Sequence, residues 1–433
     1  MPEEPELRRA IAYLDRHLNR EVAPSLVDDD ALASMRALMR ALGDPQLDTP
    51  VIQVTGTNGK GSTSAMITAL LAGMGLSVGT YSSPHVSTVR ERISRNGEAI
   101  GASDLAELIE DLARVEPTID VTPSWFELMT AAAYRWFADI AVDVAVVEVG
   151  LLGRFDATSV ADAAVAVITN VDYDHTDGGP TWRRDLAWEE AGIIRPGATV
   201  VLGETDPDLE DVFLAERPGS LLRRDVDFAC EDNELAVGGR LVTLWTPDSR
   251  HGDLFVSMHG AHQGDNAAVA LAAAEAYLGT AVPFEVAEEA FAQVFLPGRF
   301  EVLSREPLVI VDGAHNPAGA EASLVTLEEG FSVAGRRLQI VGLLGERDLE
   351  WMLTALGADR ADMVIACTAP SPRAIPARVI AAAAAALDVD VEVVEDPGDA
   401  AEWALSMATE EDLVLASGSL YVAGAVRDRL LAG

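Results

Sequence analysis

Hydrophobic positions fall into short β-branched runs separated by longer stretches with a helical repeat. Residues 5–19 and 29–42 carry apolar residues at helical spacing, with Asp and Pro punctuation between them. The run at 49–54 (Thr-Pro-Val-Ile-Gln-Val) enters a glycine-rich loop, and helical spacing resumes at 63–74. That order reads as strand, loop, helix. Further apolar runs at 77–81, 142–149, 164–170 and 199–203 predict strands, with helices expected at 103–114 and 125–139. Buried strands alternating with helices argue an α/β fold built on a mainly parallel, doubly wound sheet.

At 226–256 the pattern changes to short alternating segments with turn signals, which predicts a small antiparallel insertion. Helical spacing returns at 266–277 and 286–292, and 295–299 (Phe-Leu-Pro-Gly-Arg) reads as a hinge. Beyond it, runs at 308–311, 338–343, 362–367, 389–394 and 412–416 predict five strands of a smaller Rossmann-like domain. The alanine tract at 381–386 is expected to be helix, since alanine has the best helix propensity. The expected division is 1–296 and 297–433, in line with a chain of 433 residues being too long for one ordinary core.

Composition narrows the partners. A net charge of −39 argues against nucleic acid or an anionic membrane surface, and it would also suit a salt-rich cytoplasm. The apolar runs are too short to span a bilayer, and the start MPEEPELRRA does not read as a signal peptide. Cys230 and Cys367 lie far apart without CxxC spacing and are expected to be buried thiols in a reducing, cytoplasmic setting.

Charge also singles out one residue. Of the 31 basic residues only Lys60 is a lysine, where roughly twenty or more lysines would be usual. It stands in Gly56-Thr57-Asn58-Gly59-Lys60-Gly61-Ser62, between a predicted strand and a predicted helix. Glycines let backbone N–H groups converge on phosphate oxygens, and the helix start adds a positive dipole end. A compact ammonium suits such a cradle better than a planar guanidinium. Gly61 shifts the hydroxyls of the usual phosphate-loop pattern to Ser62 and Thr63.

The loop resembles that of the Mur ligase superfamily, and within it the folylpolyglutamate synthase/dihydrofolate synthase family. Ordered similarities run through nearly the whole chain. They include Ser83-Pro84-His85, Arg90-Glu91-Arg92-Ile93, Phe126-Glu127, Glu148-Val149-Gly150, Asp156-Ala157-Thr158 and Asp174-His175-Thr176. His262-Gln263 with Asn266, Pro297-Gly298-Arg299, Asp312-Gly313-Ala314-His315-Asn316-Pro317 and Gly418-Ser419-Leu420-Tyr421 complete the series.

The resemblance implies a cytoplasmic, monomeric enzyme. ATP would phosphorylate a folate or dihydropteroate carboxylate, and the amino group of L-glutamate would displace phosphate. It implies Mg²⁺ held by Ser62, Ser83 and Glu148, with His175 near a second Mg²⁺. Asn266, Arg299, Asp312 and His315 would contact ATP, and catalysis would rest on Lys60, Glu148, His175 and residue 190.

At 190 the pattern breaks. The family carries a lysine there that becomes carbamylated; this chain has Glu190. Two readings are open: Glu190 supplies the carboxylate itself, reaching roughly 3–4 Å less far, or the second cation site is lost and Glu190 lies on a helix surface. Leu152, Ser159, Gly178-Gly179-Pro180 and Glu346-Arg347-Asp348 are lesser departures. A ligase for a different carboxylate and a catalytically weakened nucleotide-binding paralogue therefore stay as alternatives.

Overall fold

A computed structural model describes residues 5–17, 31–174, 176, 178–345 and 348–432. Its strands are β1 (Val51–Thr55), β2 (Val78–Tyr81), β3 (Ile93–Arg95), β4 (Glu98–Ala99), β5 (Val144–Glu148), β6 (Ala163–Ile168), β7 (Thr199–Leu202) and β8 (Ser220–Arg223). They form one sheet in the order β4-β3-β2-β5-β1-β6-β7-β8. All pairs from β2 to β8 are parallel, and β3 and β4 add an antiparallel edge.

Every residue of β1 and β5 is buried, as expected of parallel strands covered on both faces. Successive side chains split between two cores. Ile52, Val54, Val144 and Val146 pack with the helices Lys60–Gly73 and His262–Leu278. Val51, Ala145 and Val147 pack with Ala102–Val115 and Trp125–Asp139. The helix Trp125–Asp139 starts where the sequence predicts because Ser124 and Glu127 form a capping box.

The insertion is a three-stranded antiparallel sheet of β9 (Ala229–Ala236), β10 (Gly239–Trp245) and β11 (Arg250–Val256). After the helix Phe284–Gln293 the chain enters a second sheet. Its strands are β12 (Glu301–Arg305), β13 (Leu308–Val311), β14 (Arg337–Val341), β15 (Met363–Ala366), β16 (Asp390–Val393) and β17 (Leu413–Ser417). Their order is β12-β13-β17-β14-β15-β16, parallel except for β12.

This sheet has six strands where the apolar runs predict five. Like β3, β4 and β8, β12 is short and partly exposed, so its sequence carries little apolar signal. The expected helices at 5–19 and 29–42 are seen as Pro5–Leu14 and Ala33–Ala41, while 18–30 lie outside the described residues. The expectation of two buried thiols needs correction: Cys367 is buried, but Cys230 is half-buried on strand β9, with its sulfur against Gly264 of the helix His262–Leu278. Among the described residues no helix is long and apolar enough to cross a membrane.

Candidate active site

Three parallel strands deliver their carboxyl ends to one place. Register sets Val54 of β1 beside Glu148 of β5, and Thr55 beside Ile168 of β6. The loops that follow therefore leave the sheet side by side, where an open α/β sheet offers a ligand crevice.

The loop after β1 is held by the exit of β6. The Thr57 N–H donates to the Asn170 carbonyl at 3.0 Å, and the Asn58 N–H donates to Asn170 Oδ1 at 2.9 Å. Thr169 Oγ1 donates to the Asn58 carbonyl at 2.6 Å. At Gly56, φ is +129°, and a Cβ there would lie 2.0 Å from Thr169 Oγ1. Only glycine fits.

Lys60 opens the helix Lys60–Gly73. Its Nζ donates to the carbonyls of Gly56 at 2.6 Å and Thr57 at 3.1 Å. An ammonium has three hydrogens, so one is left for an incoming anion.

Glu148 is 3% exposed, and one of its oxygens accepts the Ser83 N–H at 3.1 Å. Burial pushes its carboxyl above the ordinary carboxylate range, opposed first by Lys60 and then by that N–H. Ser83 arrives here because β2 runs beside β5.

From the second sheet come Arg299, Asp312 and His315. Asp312 is buried, with Oδ1 accepting the Ala314 N–H at 2.9 Å. Burial raises its carboxyl, opposed by Ser323 and Ala314. His315 Nδ1 donates to the Gly313 carbonyl at 3.0 Å, which turns Nε2 to within 3.7 Å of Asp174.

These side chains line one cavity of about 350 Å³ with residues 56–62, Glu190 and Asn266. A second cavity of about 700 Å³ lies against the first. The two share Gly61, Ser83, Pro84, Glu148 and Arg299. Its far wall is more apolar, with Ala65, Ala69, Val286, Val294 and Leu296 among its residues.

This geometry matches known sequences across both sheets. Residues 54–274 match the Mur ligase middle domain, and 298–420 the Mur ligase glutamate ligase domain. The chain is 34% identical to the dihydrofolate synthase/folylpolyglutamate synthase of Mycobacterium tuberculosis, covering 95% of this chain and 92% of that protein. The chain belongs to the dihydrofolate synthase/folylpolyglutamate synthase family of Mur ligases. Its structure superposes with TM-score 0.90 on Mycobacterium tuberculosis folylpolyglutamate synthase complexed with ADP, at 34% identity and 98% coverage of both chains. Escherichia coli FolC in complex with DHPP and ADP is similar at TM-score 0.84 and 29% identity, again over 98% of each chain.

Within this Mur ligase site the departures become concrete. Glu190 ends no exposed face: it is 2% exposed and lines the cavity. Its Oε2 is buried without a partner. Burial holds this carboxyl well above the ordinary range; Lys60 draws it down and Glu204 pushes it up.

Thr63 is fully buried and does not line the cavity. One residue past Ser62 a helix has turned by about 100°, which carries Thr63 into the core. His175 lies outside the described residues, as do Glu346 and Arg347.

Sequence reasoning left several cavity residues without a role. Asn170, Asp172 and Asp174 follow β6, and Gln263 hydrogen-bonds Asn266 at 3.0 Å. Their place just beyond a parallel strand, or inside a quoted motif, was the available signal.

Proposed function

We propose that this Mur ligase joins L-glutamate to the carboxylate of a folate or dihydropteroate at the expense of ATP. The observation that carries the reading is the shared wall. A phosphate loop faces one cavity, a larger and more apolar cavity adjoins it, and Glu148, Ser83 and Arg299 belong to both. A phosphoryl donor and a carboxylate acceptor held in the two would meet there. Residues 1–296 form the nucleotide-binding unit and 297–433 the ligating unit that covers it.

In this scheme Gly56, Thr57, Asn58, Gly59 and Gly61 cradle the phosphates. Lys60 gives its remaining N–H to a phosphate oxygen, and Asn266, Arg299, Asp312 and His315 contact the nucleotide. The substrate carboxylate oxygen attacks the γ-phosphorus and ADP departs. The glutamate amine then attacks the acyl carbon, loses a proton, and phosphate leaves. The chain's part is positioning and charge neutralisation, as in phosphoryl transfer generally.

The residues suit Mg²⁺. Ser62, Ser83 and Glu148 line the same cavity with hard oxygen donors, and the unpartnered Oε2 of Glu190 offers another. Among the described residues no three His, Cys, Asp or Glu side chains converge. Protein ligation would thus rest on single carboxylates and hydroxyls. When bound, Mg²⁺ would neutralise charge building on the phosphate oxygens. His175 belongs to the proposed second site. Monomeric state and cytoplasmic location complete the proposal.

Phosphate release measured over a panel of pterin carboxylates, with and without glutamate, tests the reading. Release that requires both is the expected result. Release with an unrelated carboxylate would point to another Mur-type ligase, and nucleotide binding without turnover would point to a non-catalytic paralogue.

A further inference from the structure

Asn316 caps the helix Pro317–Gly330 and is fully buried between the two sheets' lobes. Its side chain bonds in three directions. Oδ1 accepts the Gly319 N–H at 2.8 Å, capping its own helix. Nδ2 donates to Asn58 Oδ1 at 3.0 Å and to Asp174 Oδ2 at 3.1 Å. A primary amide has two N–H hydrogens, and both are engaged.

Asn58 belongs to the phosphate loop, and its backbone is held from the opposite side by Asn170 and Thr169. Asp174 also lies 3.7 Å from the neighbouring His315. Outside this contact the rings of Tyr173 and Trp351 stand 5.1 Å apart across the same boundary. The amide thus works in a shielded interface, where mismatched polar groups are most costly.

We infer that Asn316 is a positioning residue. It registers the ligating lobe on the phosphate loop, so that His315 and Asp312 take up their places only when Asn58 holds its nucleotide-binding shape. The kinetic side of this inference rests on the ligase reading above; the structural side does not.

Asn316→Asp separates the bridge from the cap. Its carboxylate can still accept from Gly319, but its other oxygen faces the Asn58 oxygen and the Asp174 carboxylate. Two measurements follow: steady-state glutamate-dependent turnover, and amide hydrogen exchange with a non-hydrolysable ATP analogue bound. We expect kcat to fall about 100-fold while nucleotide affinity changes less than about fivefold. Exchange should quicken about tenfold or more in residues 56–62 while the capped turn at 317–320 stays protected. Asn316→Asp with Asp174→Asn restores a donor opposite the carboxylate and should recover the slow exchange.

Unchanged kcat, or lost kcat with unchanged exchange at 56–62, overturns the inference. If Asn316→Asp does not fold, Asn316→Ser keeps a capping oxygen for Gly319 but has no amide N–H for Asn58 and Asp174, and carries the same expectation. If the wild-type chain shows no glutamate-dependent turnover, the ligase reading fails and the exchange result alone decides.

Discussion

Gly56→Ala is the sharpest perturbation of the phosphate loop. At φ +129° an L side chain has no comfortable conformation, which costs at least about 1–2 kcal/mol. The new Cβ would stand 2.0 Å from Thr169 Oγ1 and 3.0 Å from the backbone nitrogens of Thr169 and Asn170. The nitrogens belong to the β6 exit and cannot retreat, so the hydroxyl must. The single hydrogen of Thr169 Oγ1 goes to the Asn58 carbonyl at 2.6 Å, with the Thr55 carbonyl farther off at 3.2 Å. Losing this bond adds about 1 kcal/mol.

The sum is about 2–3 kcal/mol, and it falls on the loop because β1 behind it is buried along its whole length. If the loop moves to escape, nucleotide affinity should drop about 30- to 100-fold. Calorimetric titration with a non-hydrolysable ATP analogue measures that, with thermal unfolding of the free protein alongside. Gly75→Ala is the control: its φ is also positive, at +89°, but nothing lies within 4 Å of the added Cβ. It should cost about 1 kcal/mol of stability and leave affinity unchanged. Affinity in Gly56→Ala within about threefold of wild type, with unaltered unfolding, would refute the steric reasoning.

Other outcomes follow from the same site. Lys60→Arg keeps the charge but not a donor able to fold back onto the Gly56 and Thr57 carbonyls; phosphate release should fall about 100-fold or more, and near-normal turnover would count against the cradle geometry. Glu190→Ala should raise the Mg²⁺ concentration for half-maximal turnover about tenfold, whereas an unchanged Mg²⁺ dependence would remove Glu190 from the cation site. Burial beside Arg92, whose Nε donates to His85 Nδ1 at 3.0 Å, pushes the His85 ring from the ordinary 6.5 down to about 4. The unfolded chain therefore protonates first, so stability is full above pH 6.5 and about 3 kcal/mol of it is lost as pH falls through 4. His85→Asn, whose amide oxygen can accept from Arg92 without titrating, should lose less on denaturant unfolding between pH 7 and 4.5. Parallel losses would exclude His85 as the cause.

What was legible in the chain depended on how local its cause was. The phosphate loop shows in seven consecutive residues because strand, glycine turn and helix start are neighbours in sequence. The buried central strands show for a similar reason: parallel strands covered on both faces need unbroken apolar runs. The strands β3, β4, β8 and β12 were not legible, since short edge pieces with exposed residues owe their pairing to partners far along the chain. Thr63 failed for a geometric reason, as motif spacing does not say which side of the helix a residue takes. Asn316 was visible as part of a motif, but nothing in the sequence joins it to Asn58 or Asp174.

The lone lysine gains a physical reason from the site. Two buried carboxyls, Glu148 and Glu190, are pushed upward by desolvation, and Lys60 is the first-ranked charge that opposes this in each. It also satisfies two loop carbonyls at 2.6 and 3.1 Å. A guanidinium spreads its charge over a rigid planar fork and would have to leave one of those tasks undone. Elsewhere on the surface arginine can stand in for lysine, since exposed pairs contribute little to stability. Here the cation must be compact enough to serve a backbone cradle and central enough to face two buried acids. The glutamate at 190 fits the same logic: burial raises its carboxyl, and Lys60 is the cation that draws it back down.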